Sequence, residues 1–196
     1  MKRVSLILFV LALASAAVTA QDRIQDTFFG VKLGSDYRSV CRSDCFRNEY
    51  SGSNRWALRD LMRYKRESVS VGSRHRLIFA GYYWEEARFY FTDAEVFYKI
   101  RFYIPYSDKR SSEERYNELR AGLQKRYGGL TGISVETDDV WNDDDAVSVT
   151  YRDGQGRSCV LSREFREAQG GKKYYYVFLR YEDNDVKLKA SYLEDL

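Results

Sequence analysis

Two neighbouring segments of the chain, 87–91 and 96–104, alternate apolar side chains with polar, basic or aromatic ones. The first places Ala87, Phe89 and Phe91 on one side and Arg88 and Tyr90 on the other. The second places on one side Val96, Tyr98, Ile100, Phe102 and Ile104, and on the other Phe97, Lys99, Arg101 and Tyr103. A period of two with many aromatic and β-branched residues is typical of antiparallel strands. The sequence therefore predicts a half-buried antiparallel hairpin at the centre of the fold.

Helical patterns occupy separate blocks of the chain. They begin near Asp36, after Ser53 and at Ser111, with strand patterns between and after them. Segregated blocks of this kind indicate an α+β fold, in which helices cover one face of antiparallel sheets. We interpret residues 21–196 as a single domain and predict two similar helix–β-meander halves, 21–110 and 111–196.

A helix–β-meander unit used twice resembles the β-lactamase-inhibitor-protein fold and its relatives among outer-membrane assembly lipoproteins. Two short phrases, Phe29-Gly30-Val31-x-Leu33-Gly34 and Phe79-Ala80-Gly81-Tyr82-x-Trp84, resemble secreted proteins of gut and oral Bacteroidetes. Relatives of this fold are mostly binding proteins, so the resemblance implies a binding protein by analogy of fold. It carries no functional residue over to this chain.

The N-terminus has the pattern of a secretory signal peptide. Lys2 and Arg3 precede an almost wholly apolar run, 4–18, and small residues lead to a cleavage point after Ala20. The alternative, a membrane anchor, is disfavoured because the run is too short to span a bilayer comfortably. We therefore expect residues 1–20 to be removed from an exported protein, periplasmic or extracellular, with no integral membrane segment afterwards.

The charge balance gives no reason to expect a nucleic acid partner. Residues 1–20 contain two of the 32 basic residues and none of the 29 acidic ones, so the net charge of 21–196 is 30 minus 29, or +1. A nucleic-acid-binding domain usually carries a clear basic excess.

The three cysteines, Cys41, Cys45 and Cys159, would meet an oxidising compartment after export. In a continuous helix, residues four apart have α-carbons about 6 Å apart, within the range for a disulfide. We predict a Cys41–Cys45 bridge, with Cys159 reduced on the inner face of its strand. Zinc is disfavoured because His75 is the only histidine, and we expect no cofactor.

Aromatic side chains, 16% of the chain, recur on the predicted outward face of the strands. Tyrosine and arginine together are enriched at protein interfaces. Two interpretations remain open: a binding face, or a face covered by the C-terminal tail or the other half. The candidate binding residues are Arg88, Tyr90, Phe97, Lys99, Arg101, Tyr103, Tyr174, Tyr176, Phe178 and Arg180.

Other chemically interesting features each have a simpler interpretation. Glu85 and Glu86 are adjacent in a strand, so they point to opposite faces and make a poor acid–base pair. The acidic run 138–145 lacks the spacing of a calcium-binding EF-hand loop, and His75 has no G-x-S-x-G nucleophile motif near it. A basic stripe on the second helix is typical of a solvated side, and it contains Arg55, Arg59 and Arg63.

The function we predict is that of an exported, non-enzymatic binding protein. Its aromatic and basic sheet face would bind a protein, peptide or glycan of the cell envelope. The alternative is a cell-envelope hydrolase acting on glycan or peptide, with carboxylates brought together by folding. A cleft with two convergent carboxylates would favour the hydrolase, whereas an accessible aromatic sheet face would favour the binding protein.

Overall fold

The computed structural model describes residues 23–72, 77–138, 146–167 and 171–192. The signal peptide predicted at residues 1–20, His75 and most of the acidic run, 139–145, lie outside the described residues. The predictions made for these segments therefore stay predictions.

Strands and helices follow one another in blocks, as the sequence predicts for an α+β fold. The strands are β1 (Thr27–Phe28), β2 (Val31–Lys32), β3 (Ser68–Val71), β4 (Leu77–Phe79), β5 (Tyr82–Trp84), β6 (Glu86–Phe91), β7 (Phe97–Tyr106), β8 (Ile133–Asp138), β9 (Val147–Asp153), β10 (Arg157–Glu167) and β11 (Lys173–Asp183). The helices are α1 (Tyr37–Cys41), α2 (Asp44–Glu49), α3 (Arg55–Arg63), α4 (Lys109–Tyr127) and α5 (Asn184–Tyr192), with a 3₁₀ turn at Gly52–Asn54.

Seven of the strands form one antiparallel sheet, in the order β3-β6-β7-β11-β10-β9-β8. The remaining strands form two small hairpins, β1–β2 and β4–β5. The predicted repeat of two similar halves is not confirmed. Before its strands of the seven-stranded sheet, the first half carries three short helices, whereas the second carries the single long helix α4. Both halves contribute strands to the same sheet, and they meet where β7 pairs with β11.

The inner face of the sheet is buried in a core rich in aromatic rings. Phe102 of β7 stacks on Phe79 of the β4–β5 hairpin, with ring centroids 4.3 Å apart. Phe28 lies 4.9 Å from Tyr181 of β11. Helix α4 packs against β7, β10 and β11 through the predicted stripe of Tyr116, Leu119, Leu123 and Tyr127, all buried. Because aromatic side chains bury a large area each, these rings dominate the apolar burial that stabilises the fold.

Aspartate side chains cap the N-termini of two of the helices. Asp36, one of the two predicted N-caps, accepts a hydrogen bond from the backbone N–H of Ser39 at 2.9 Å. Helix α4 begins earlier than predicted, because Asp108 is its N-cap. The Asp108 carboxylate accepts from the backbone N–H of Ser111 at 2.7 Å, so Ser111 lies inside the first turn.

Phe97 was predicted on the outer face, and this prediction is wrong. Its ring is fully buried, 5.3 Å from the ring of Phe89 on the inner face. The reason is a β-bulge in β7: Tyr90 pairs with Lys99, but its neighbour Phe91 pairs with Phe97, so Tyr98 is an extra residue. One extra residue reverses the alternation, and Phe97 turns inward while Lys99 and the residues after it keep the predicted faces.

Replacing Phe97 by alanine should therefore remove a core side chain. We expect Phe97→Ala to lower the free energy of unfolding by about 3–5 kcal/mol, as is usual for a buried aromatic residue. The matched control is Tyr83→Ala, which removes a ring that is 52% exposed on the β4–β5 hairpin and should cost much less. Urea denaturation of the two variants measures both values. A loss below about 1 kcal/mol for Phe97→Ala would place its ring on the surface instead.

Candidate binding face on the outer side of the sheet

Nine of the ten predicted binding residues lie together on the outer face of β6, β7 and β11, and Phe97 is the exception. Cross-strand register aligns them in rows that run from strand to strand. One row joins Tyr103 to Phe178, and the next joins Arg101 to Arg180. On the inner face of the same strands lie core residues such as Phe102 and Leu179. The pairing that builds the core therefore also places this second set of side chains side by side.

Three arginines stand directly opposite one another in the second row. Arg88 of β6 pairs with Arg101 of β7, which pairs with Arg180 of β11; we call these three the arginine row. Arg88 binds Glu86, with its Nη2 2.8 Å from the carboxylate, and Arg180 Nε lies 3.7 Å from Glu182. Arg101 has no carboxylate within ion-pair distance in the described part of the chain. Like charges opposite each other destabilise a sheet, so the row needs another source of stabilisation.

Aromatic rings lie between these cations and supply part of that stabilisation. Lys99 Nζ lies 4.4 Å from the centroid of the Tyr90 ring, and Arg101 Cζ lies 5.7 Å from the same ring. Arg101 Cζ is also 5.2 Å from the ring of Phe178. Arg166 then lies 5.4 Å from Phe178 and 5.7 Å from Tyr176. Cations over ring faces are attracted by about 0.5–1 kcal/mol each at accessible sites. We call this series the cation–aromatic ladder.

The ladder changes what the face presents to solvent. Phe178 was expected to be open, but it is only 6% exposed. Arg101 and Arg166 lie over its ring, and the ring of Tyr176 stacks against it at 5.8 Å. Tyr90, Tyr103, Tyr174 and Tyr176 are half-buried. The predicted open aromatic surface is therefore in fact a mixed surface of guanidinium groups and partly covered rings.

A groove of about 400 Å³ lies beside this face, on the side where β11 is followed by β10 and β9. Its lining includes Arg101, Arg180 and Phe178 from the predicted set. The Nε atoms of Arg101 and Arg180 are both buried, and neither has a hydrogen-bond partner in the part of the chain that the structure describes. The other residues that line the groove are Asp138, Ala146, Val147, Ser148, Val160, Ser162, Arg163 and Glu164.

Sequence reasoning missed the contribution of β10. Arg166 completes the ladder. Ser162 and Glu164 line the groove, and the Glu164 carboxylate lies 2.7 Å from Arg166 Nη2. The signal was present, because Cys159 was predicted on the inner face of its strand and successive strand residues point to alternate faces. Continuing that alternation places Ser162, Glu164 and Arg166 on the outer face.

The surroundings shift the pKa values of two residues on this face, Lys99 and Tyr103, in opposite directions. Burial lowers the pKa of Lys99, and nearby Arg180 and Lys187 lower it further, against the opposing influence of Glu182 and Tyr90. Burial raises the pKa of Tyr103, and Glu86 and Glu85 raise it further. The Tyr103 side chain is therefore a neutral phenol that can donate a hydrogen bond.

The predicted Cys41–Cys45 disulfide is not present, and all three cysteines are free thiols. The spacing argument assumed one continuous helix, but α1 ends at Cys41 and α2 begins at Asp44. Cys41 is buried, and the Cys45 sulfur lies 3.1 Å from the hydroxyl of Ser43. Cys159 is buried on the inner face of β10, as predicted.

Burial makes these thiols poor nucleophiles. It raises the pKa of Cys41 to about 11 and that of Cys159 to about 12. Cys45 lines a second groove of about 400 Å³ beside Asp44 and Glu49, and burial raises the pKa of its thiol too. A cysteine nucleophile needs the thiolate, so the second groove has the wrong environment for cysteine chemistry.

Comparison of the chain with protein-family models, curated proteins and solved structures found no match. Among the described residues, no cluster of three or more His, Cys, Asp or Glu side chains is placed to hold a metal ion. No helix within the same residues is long and apolar enough to cross a membrane. The three arginines of helix α3, Arg55, Arg59 and Arg63, are exposed, as expected for a solvated side.

The thiol assignment predicts a specific labelling pattern. At neutral pH, iodoacetamide should modify native protein slowly and only at Cys45, because Cys41 and Cys159 are inaccessible and protonated. Denaturant should expose all three thiols to the reagent without prior reduction. Peptide mass spectrometry reads both patterns, and a Cys45→Ser variant should show almost no native labelling. Two cysteines that react with the reagent only after reduction would show that they form a disulfide, and would contradict the assignment of three free thiols.

Proposed function

We propose that this protein is an exported, non-enzymatic binding protein that uses the outer face of β6, β7 and β11 to hold a component of the cell envelope. The observation that carries the proposal is the cation–aromatic ladder on the central strands of the sheet. Half-buried tyrosines beside arginines form the type of surface on which binding energy concentrates. Export and an envelope location rest on the signal-peptide pattern of residues 1–20.

The carboxylates on this face support binding rather than hydrolysis. Glu86 is bound to Arg88, Glu164 to Arg166, and Glu182 lies beside Arg180. The two carboxylates of a glycoside hydrolase must converge on the bond that is cleaved, whereas each of these three lies beside an arginine of its own. The three pairs therefore favour a ligand-binding role over the alternative of an envelope hydrolase.

Two tyrosine variants test the proposal. Immobilised protein would be incubated with the envelope fraction of the producing organism, and captured components would be quantified by mass spectrometry. We expect Tyr103→Ala and Tyr176→Ala to weaken capture by more than about 1 kcal/mol, about fivefold, because each removes a central ring of the face. Melting temperatures should fall only slightly, since both side chains are half-buried.

The matched control is Tyr83→Ala, which removes an exposed tyrosine from the β4–β5 hairpin. It should leave capture at the parental level. If both test variants melt far below the parent, the rings belong to the core. If they keep parental stability and parental capture, the face is surface without a binding role.

A further inference from the structure

The arginine row concentrates more positive charge than its own face neutralises. Arg88, Arg101 and Arg180 stand on adjacent strands, which are about 4.8 Å apart in a sheet. Glu86 binds Arg88 closely, but the Glu182 carboxylate is 3.7 Å from Arg180 Nε, beyond hydrogen-bond distance. Arg101 faces cations on both sides without a carboxylate of its own in the described residues.

Two guanidinium groups of the row also have unused hydrogen-bond donors. Among the described residues, the Nε atoms of Arg101 and Arg180 are buried and have no acceptor. A buried donor without a partner destabilises the fold, and the cost is larger where the group is charged. Both arginines line the same groove of about 400 Å³, so an anion placed there would lie beside both guanidinium groups.

The rest of the groove suits a small anionic group. Ser148 and Ser162 face each other across β9 and β10, and both line the groove with hydroxyl groups. Phe178 and Val160 supply an apolar wall. Two carboxylates line the groove among the described residues: Glu164, which is bound to Arg166, and Asp138, at the end of β8. Arg163 Nη1 lies 3.5 Å from the Glu113 carboxylate, but it too is buried without a hydrogen-bond partner among the described residues.

We propose that this groove binds the phosphate or sulfate group of a small ligand, with Arg101 and Arg180 as donors and Ser148 and Ser162 as supporting hydroxyls. Guanidinium groups bind such oxyanions through paired, charge-assisted hydrogen bonds. The inference rests on the proposed function, because it names the ligand chemistry of the same face. An extended peptide would add to a sheet edge, whereas the row lies on central strands, away from the edges β3 and β8.

Thermal melting with added anions provides the first test. Sodium phosphate and sodium sulfate would be compared with sodium chloride at equal ionic strength, so that general screening of charge is the same. We expect phosphate and sulfate to raise the melting temperature of the parent, because ligands that bind the native state stabilise it. Arg101→Gln should lose this gain, and in chloride alone it should melt no lower than the parent, because it removes an unbalanced charge.

Three further variants sharpen the test. Arg152→Gln is the matched control, since Arg152 lies on the same sheet face but is bound to Glu136 at 3.2 Å, and it should keep the full phosphate response. Arg101→Lys keeps the charge and should recover only part of the response. Asp138→Asn removes a negative charge from the groove and should bind phosphate more tightly. Equal phosphate stabilisation of the parent and Arg101→Gln would overturn the proposal.

Titration calorimetry distinguishes the possible sources of the anion. Inorganic phosphate would represent a free ion and glucose 6-phosphate a phosphate ester, with glucose as the uncharged control. Binding of either phosphate, weakened about tenfold or more in Arg101→Gln, supports the proposal, and a tighter Kd for the ester identifies the ester as the ligand type. No binding of either phosphate would overturn it.

The two proposals fail separately. If phosphate does not bind but Tyr103→Ala still loses envelope capture, the anion site is wrong and the binding face stands. If phosphate binds through Arg101 but the tyrosine variants capture normally, the anion site stands without the envelope-binding function.

Discussion

The pairing of β7 with β11 is the interaction on which both faces of the molecule depend. It joins a strand from the middle of the chain to one near its C-terminal end, with Phe102 opposite Leu179 and Ile100 opposite Tyr181 in the core. The same register places Arg101 opposite Arg180 on the outer side. A slip of one residue would exchange the two faces, so the aromatic core fixes the register of the binding face.

The two faces are stabilised by different physics. The inner face gains from burying aromatic and aliphatic area against α4 and the small hairpins. The outer face carries cations in adjacent positions, which repel one another, and rings that partly offset the repulsion. A charge on a central strand with no carboxylate beside it, as for Arg101 among the described residues, costs stability, and proteins retain such costs mainly at functional sites.

Much of this architecture follows from short-range patterns in the sequence. Alternation in β6, β7 and β11 predicts which side most of their residues face, and the stripe from Tyr116 to Tyr127 predicts the buried side of α4. The inward position of Phe97 was not predicted, because a bulge depends on how two strands are aligned, and the sequence of one strand does not show that alignment. The missing Cys41–Cys45 bridge has a similar cause, since the break between α1 and α2 has no strong local signal.

The candidate site was predictable in position but not in character. The alternation of side chains along the strands places Tyr103, Tyr176 and Phe178 on one face, as observed. Exposure depends on the long side chains beside them, and Arg166 reaches Phe178 from a neighbouring strand. Flexible cations therefore turned an expected open aromatic surface into a ladder, a result of packing that alternation does not encode.

The account depends most on the outer face being accessible in the free protein while the inner face is not. Hydroxyl-radical footprinting with mass spectrometry measures this directly on the tyrosines, with the buried ones as internal controls. The account predicts oxidation at Tyr90, Tyr103, Tyr174 and Tyr176, and protection of Tyr37, Tyr127, Tyr151 and Tyr181. Equal protection of both groups would contradict it, because the outer face would then be covered in the protein itself.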